Sequence, residues 1–177
     1  MPFLVNNLLP VLESTPAVLM ALLGNLGRQW TAVNEGPDTW TAEEVLAHLI
    51  ICEQTDWLVR THVFLGTGGK TLAPIDMQAH FELAQNNSLS TLLHRFANLR
   101  LQNLASIKAL NLTTAQLQQT AIHPKLGEVT LQQHLATWVT HDLNHLAQIT
   151  RIMARQNKVH TGPFATFLPI LKDKVQP

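Results

Sequence analysis

The stretch TLQQHLATWVTHDLNHLAQITRIMARQ, residues 130–156, decides the reading of this chain. It opens on Thr130 and Gln133, a T-x-x-Q capping box in which each residue satisfies an orphan backbone N–H of the other. Leu131, Leu135, Trp138, Ile149 and Ile152 then recur at helical spacing, so one face of the predicted helix is apolar. His141 and His145 stand at i and i+4 on that same face. Their imidazoles stack one turn apart, close enough to share a metal ion, where a bundle core ordinarily carries leucine.

Outward from this helix the period stays helical. Residues 88–110 carry Leu92, Leu93, Phe96, Leu99, Leu104 and Ile107, with Ser88 as N-cap. Thr41 and Glu44 form a second capping box, flanked by Trp40 and Val45 as a hydrophobic staple. From there one helix is expected to about Leu65, about 25 residues and roughly 37 Å long, ended by Gly66, Gly68 and Gly69. Thr15-Pro16 predicts a first helix starting there, with proline at its first position and Gly27 as terminator after Leu26. Residues 66–87, with Pro74, Asp76, Met77 and His80, form a connection well beyond the roughly 2 to 8 residues usual between helices. It is expected to return the chain along the bundle so that helix three runs parallel to helix two, or to serve as a lid. A one-turn helix after Thr113, the loop HPKLGEVT and a docking tail TGPFATFLPIL complete the reading. The prediction is a single domain, 1–177, of all-α class: a four-helix bundle with a long crossover between helices two and three.

Composition narrows the function. Of 177 residues, 46% are hydrophobic and 14% charged, which excludes a disordered chain. Twelve Lys and Arg balance twelve Asp and Glu, so no basic surplus exists for tracking nucleic-acid phosphates. One cysteine excludes a disulfide framework and a cysteine-paired zinc ribbon. The first basic residue is Arg28, so no positive n-region precedes the apolar start, and polar residues interrupt every apolar run short of a membrane span. A cytoplasmic protein with no membrane partner is expected. Histidine is the surplus: nine, about twice the usual share, with no tyrosine.

A third histidine joins the pair. His48 lies in the stripe Val45, His48, Cys52, Val59 of helix two, which also points inward. Buried imidazoles cost free energy unless both nitrogens find partners. Two readings stand: one metal ion shared by three neutral imidazoles, or a hydrogen-bonded polar layer that sets bundle register. Three protein ligands would leave positions open, the pattern of a catalytic site. Neighbouring candidates are Glu44, otherwise engaged in capping, and Cys52, a ligand, a reactive thiol or a small core residue. His80 of the long connection is a candidate to line the site, Asp142 to support it from behind, and Gln148 to hold a bound water. His134 lies about 10 Å along the axis from His141, too far for the same ion. His62, His94 and His160 read as surface residues, and His123 as a local turn partner. No Glu-x-x-His pair, H-E-x-x-H, P-loop or G-x-S-x-G is present.

Two runs carry a family resemblance: TWTAEEVLAHLIICEQTDWLVRTHVFL and HPKLGEVTLQQHLATWVTHDLNHLAQITRIMARQ. With their Ala-His-Leu and H-D-x-x-H-x-x-Q-I motifs, they resemble the DinB-like (DinB/YfiT) superfamily over nearly the whole chain. The resemblance implies a four-helix bundle with a long crossover, a homodimer, and a divalent metal held by His48, His141 and His145. The metal is expected to be zinc or nickel, with iron or manganese next. Among the family's activities are thiol-dependent transfer and isomerisation, and metal-dependent hydrolysis. The leading expectation is an enzyme whose metal activates a low-molecular-weight thiol towards a small electrophilic substrate, since the thiolate is the nucleophilic form. Its alternatives are a hydrolase using a metal-bound water and a metal-binding protein without turnover. Arg60, Arg95, Arg100 and Arg151 are candidates to bind a charged thiol, with salt-bridging as their competing role.

Overall fold

The structure, a computed structural model, describes residues 3–172. In chain order it contains α1 (Val5–Leu23), α2 (Arg28–Thr31), α3 (Ala42–Thr55), α4 (Trp57–Leu65), α5 (Ala79–Gln85), α6 (Leu89–Leu110) and α7 (Thr114–Leu117). The antiparallel hairpin β1 (Thr120–His123) and β2 (Gly127–Thr130) follows, then α8 (Leu131–Gln156) and α9 (Lys158–Thr161). Two 3₁₀ turns, Gly162–Phe167 and Pro169–Leu171, lead the tail back to α8, where Leu171 is buried.

Three long helices start where their caps stand in the sequence. Thr41, Ser88 and Thr130 each accept from a backbone N–H in the first turn, opening α3, α6 and α8. The fourth corrects the sequence reading. α1 begins at Val5, ten residues before Thr15, and holds both Pro10 and Pro16 in its interior. Pro16 has no N–H to give to the Leu12 carbonyl, and the Arg100 guanidinium donates to that carbonyl instead, at 2.9 Å. The freed acceptor is thus satisfied from another helix, which is what tolerates the proline. By length and composition α1 is also long and apolar enough to cross a membrane; it packs here on α6 and α8.

Helix two is likewise not one helix. The chain is offset at Asp56 (φ −111°, ψ −77°), between α3 and α4. The offset changes the helical phase, so Val59 turns out to solvent while Trp57 turns in. Val59 therefore does not continue the stripe of Val45, His48 and Cys52.

Two apolar clusters show how the helices run. One joins the starts of α3 and α6 (Val45, Leu46, Leu92, Phe96) to the ends of α1 and α8 (Leu23, Ile152). The other joins the start of α1 and of α8 (Leu12, Leu131, Leu135) to α4 and the end of α6 (Phe64, Ile107). α3 and α6 are therefore parallel, and α1 and α8 run against them: a four-helix bundle with the expected crossover. The crossover is not structureless. Thr71 bridges Ile122 of β1, and α5 packs on α3. The hairpin, absent from the sequence reading, turns through Gly127 at φ 75°, a conformation glycine adopts freely.

Candidate metal centre

α3 and α8 bring the three predicted histidines together. His48 Nε2 lies 3.2 Å from His141 Nε2, and His145 Nε2 lies 3.1 Å from the same atom. Metal–nitrogen bonds of about 2.0–2.1 Å give neighbouring donors about 3.3 Å apart in tetrahedral and about 2.9 Å apart in octahedral geometry. Both separations to His141 fall between, so each pair fits joint coordination of a divalent ion.

The protonation states fit as well. Burial, with the charges of His145 and His80 adding, lowers His48 to about 4. Burial, with His145, His48 and Arg100 adding, lowers His141 to about 3. Burial also lowers His145, against the opposing pull of Gln148 and Asp142. All three imidazoles are held neutral, the form that ligates metals. Gln148 Oε1 lies 2.8 Å from His145 Nδ1. Accepting the Nδ1–H leaves His145 Nε2 bare on the side of His141 and fixes the ring in that orientation. Nδ1 of His48 and of His141 is buried without a hydrogen-bond partner.

The other candidates divide. Cys52 Sγ lies 3.6 Å from His48 Nε2, and its donor atom and those of His48 and His141 all lie within 4.8 Å of one another. Burial, then the carboxylates of Asp56 and Glu53, push its thiol up, so it sits as a neutral core thiol. Glu44 is spent on its capping box, accepting from the Thr41 N–H at 2.7 Å. Asp142 is wholly buried and paired with Arg100 through two bonds of 2.6 and 2.9 Å. His80 is wholly buried on α5, its ring centroid 5.8 Å from that of His48.

Sequence reasoning missed Glu53 here, and it placed neither Trp40 nor Arg100 beside the histidines. Trp40, read as a staple, stacks against His145 at 6.3 Å and 11°, and lies 5.0 Å from His48 and 4.2 Å from His80. Glu53 and Arg100 centre a buried network: Arg100 donates to Glu53 at 2.8 and 3.1 Å, and Asn103 and Trp138 donate to the same carboxylate at 2.9 and 3.0 Å. The signal was present, because Arg100 interrupts the apolar stripe between Phe96 and Leu104, and Glu53 follows Leu49 by one turn.

The remaining histidines and arginines do other work. His134 is buried and donates from Nε2 to the Trp57 carbonyl at 3.0 Å. His123 Nδ1 accepts from two backbone N–H groups of its own turn, and His62, His94 and His160 are exposed. Arg60 pairs with Asp56, Arg151 with Glu35, and Arg95 donates to Gln54.

Comparison with known proteins now decides the family. A family model described as the DinB superfamily matches residues 12–149. The chain belongs to the DinB superfamily. Among solved structures, this DinB-superfamily chain is similar to YfiT from Bacillus subtilis, at 24% identity and a TM-score of 0.74. The match covers 86% of this chain and 87% of that one. YfiT is described as a probable metal-dependent hydrolase with an unusual four-helix bundle topology. The likeness establishes the shared fold. No curated protein matches the chain.

Proposed function

We propose that this DinB-superfamily chain is a metal-dependent enzyme that transfers a low-molecular-weight thiol to a small electrophile, with His48, His141 and His145 as its metal ligands. The observation that carries the reading is the placing of His48 Nε2 and His145 Nε2 at 3.2 and 3.1 Å from His141 Nε2. An all-imidazole donor set suits zinc or nickel first, with iron or manganese next. A divalent ion held there supplies positive charge that lowers the pKa of a nucleophile brought beside it.

The chain's own residues do the rest. Gln148 fixes the His145 ring, and Trp40 stacks over that ring and shields it from water. A thiol is favoured over water as nucleophile because its proton is far more acidic, with a free pKa of about 8.5 against about 15.7 for water, and leaves to solvent without a dedicated base, while the nearby carboxylates are engaged. Glu44 caps α3, while Glu53 and Asp142 face Arg100. Hydrolysis stands as the second reading, on the description of YfiT and on His80, an imidazole beside the ligands.

The test starts with elemental analysis of protein purified without added metal. Stoichiometric metal, lost in His145→Ala, is expected; trace metal that the substitution leaves unchanged would remove the centre. The metal-replete protein is then assayed with small thiols against a panel of electrophiles, and with esters alone. Thiol-independent ester turnover would replace transfer by hydrolysis, and silence on both panels would leave a metal-binding protein.

A further inference from the structure

Around the three ligands, most polar side chains are engaged: Gln148 with His145, Glu44 with the start of α3, Asp142 with Arg100. Two are not: Trp57, whose indole Nε1 is unpaired beside His141, and His80. The His80 side chain is wholly buried, yet neither Nδ1 nor Nε2 has a hydrogen-bond partner. Buried polar atoms of this kind are rare, because leaving them unpaired forfeits the hydrogen bonds that water gives in the unfolded chain.

The ring is also held in place. Trp40 packs on it at 4.2 Å and Phe81 at 4.0 Å between centroids, and it meets His48 nearly edge-on, at 79°. Its 5.8 Å from His48 exceeds the 4.3–5.2 Å among the three ligand rings. It therefore stands beside the ligand set rather than within it. The carboxylates of Glu44 and Asp76 act on it electrostatically.

We propose that His80 is a substrate-contacting residue, in which one of the two unpaired ring nitrogens hydrogen-bonds an uncharged amide-type group of the thiol substrate. A neutral imidazole offers a donor at one nitrogen and an acceptor at the other, and an amide can answer whichever of the two faces it. The negative charge of Glu44 and Asp76 disfavours a carboxylate or phosphate in the same place. This inference rests on the thiol-transfer reading above and deepens it by naming the group recognised.

Cobalt-substituted protein tests it without turnover, since a thiolate bound to Co(II) gives a near-ultraviolet charge-transfer absorption. Two probes are titrated: N-acetylcysteamine, which carries an amide, and ethanethiol, which does not. Wild type is expected to prefer N-acetylcysteamine by up to about tenfold, the scale of one net hydrogen bond. His80→Phe, which keeps the aromatic packing without the nitrogens, is expected to bring the preference within about twofold, with Co(II) stoichiometry unchanged. His80→Gln, which restores a donor and an acceptor, is expected to recover part of it. Equal preference in wild type and both variants overturns the role of His80 alone. Loss of Co(II) from both folded variants also overturns it, making His80 part of the metal's support. Co(II) binding by wild type with no response to either thiol overturns the thiol reading and this inference with it.

Discussion

Two buried polar clusters lie side by side in this bundle, and they differ in how completely they are bonded. At Arg100 every participant is engaged: the guanidinium meets Glu53, Asp142 and the Leu12 carbonyl, and Asn103 and Trp138 complete Glu53. At His141, next in the chain to Asp142, the reverse holds. His141 Nδ1, His48 Nδ1 and both nitrogens of His80 lack partners, while the Nε2 atoms of His48 and His145 crowd that of His141. A saturated cluster serves the fold. A cluster with unspent donors and lone pairs is where an ion or a substrate completes the bonding.

The contrast breaks most visibly at Arg100. Arg100→Met would leave Glu53 and Asp142 buried without their cation and is expected to cost about 3–5 kcal/mol of stability, read by urea denaturation. A loss below about 1 kcal/mol would show that the two carboxylates are not held by this pair.

His134 sharpens the comparison, being buried yet bonded. Burial lowers it to about 4, with Arg60 and His123 adding and its bond to Trp57 opposing. The unfolded chain, at about 6.5, therefore binds more protons between those values. Its contribution is constant above about pH 6.5 and is lost progressively as the pH falls towards 4. The share is about 3 kcal/mol by proton linkage. Metal-free wild type should lose that much more stability than His134→Phe between pH 7 and pH 4; parallel losses would refute it.

The smallest effect is expected at Gln148. Gln148→Ala frees the His145 ring and should weaken metal affinity by about 10- to 100-fold, the usual cost of removing a group that orients a ligand. Metal titration by competition with a chromogenic chelator reads it, and unchanged affinity would show that His145 needs no orienting partner.

Much of this was legible beforehand because helix signals are local. The caps at Thr41, Ser88 and Thr130 and the His141/His145 spacing are written within a few residues of each other, and the structure follows them. The family motifs carried His48 to the same point. What misled was also local. Thr15-Pro16 looks like a helix start, and nothing within α1 reveals that Arg100, far along the chain, will take the carbonyl that Pro16 leaves free. Trp40 looked like a staple because its other contacts, His80 and His145, come from α5 and α8.

The sequence by itself determined the helical class, the boundaries set by caps, and the face on which His141 and His145 stand. Only the tertiary structure decided the phase break at Asp56, which turned Val59 outward, and the sorting of polar residues within the apolar stripes. Arg100, Asp142 and His145 all sit at positions a period would assign to the core, and His80 lies in a connection where no period was legible. Which of them is saturated depends on partners supplied by other helices, and a single chain's periodicity carries no information about those.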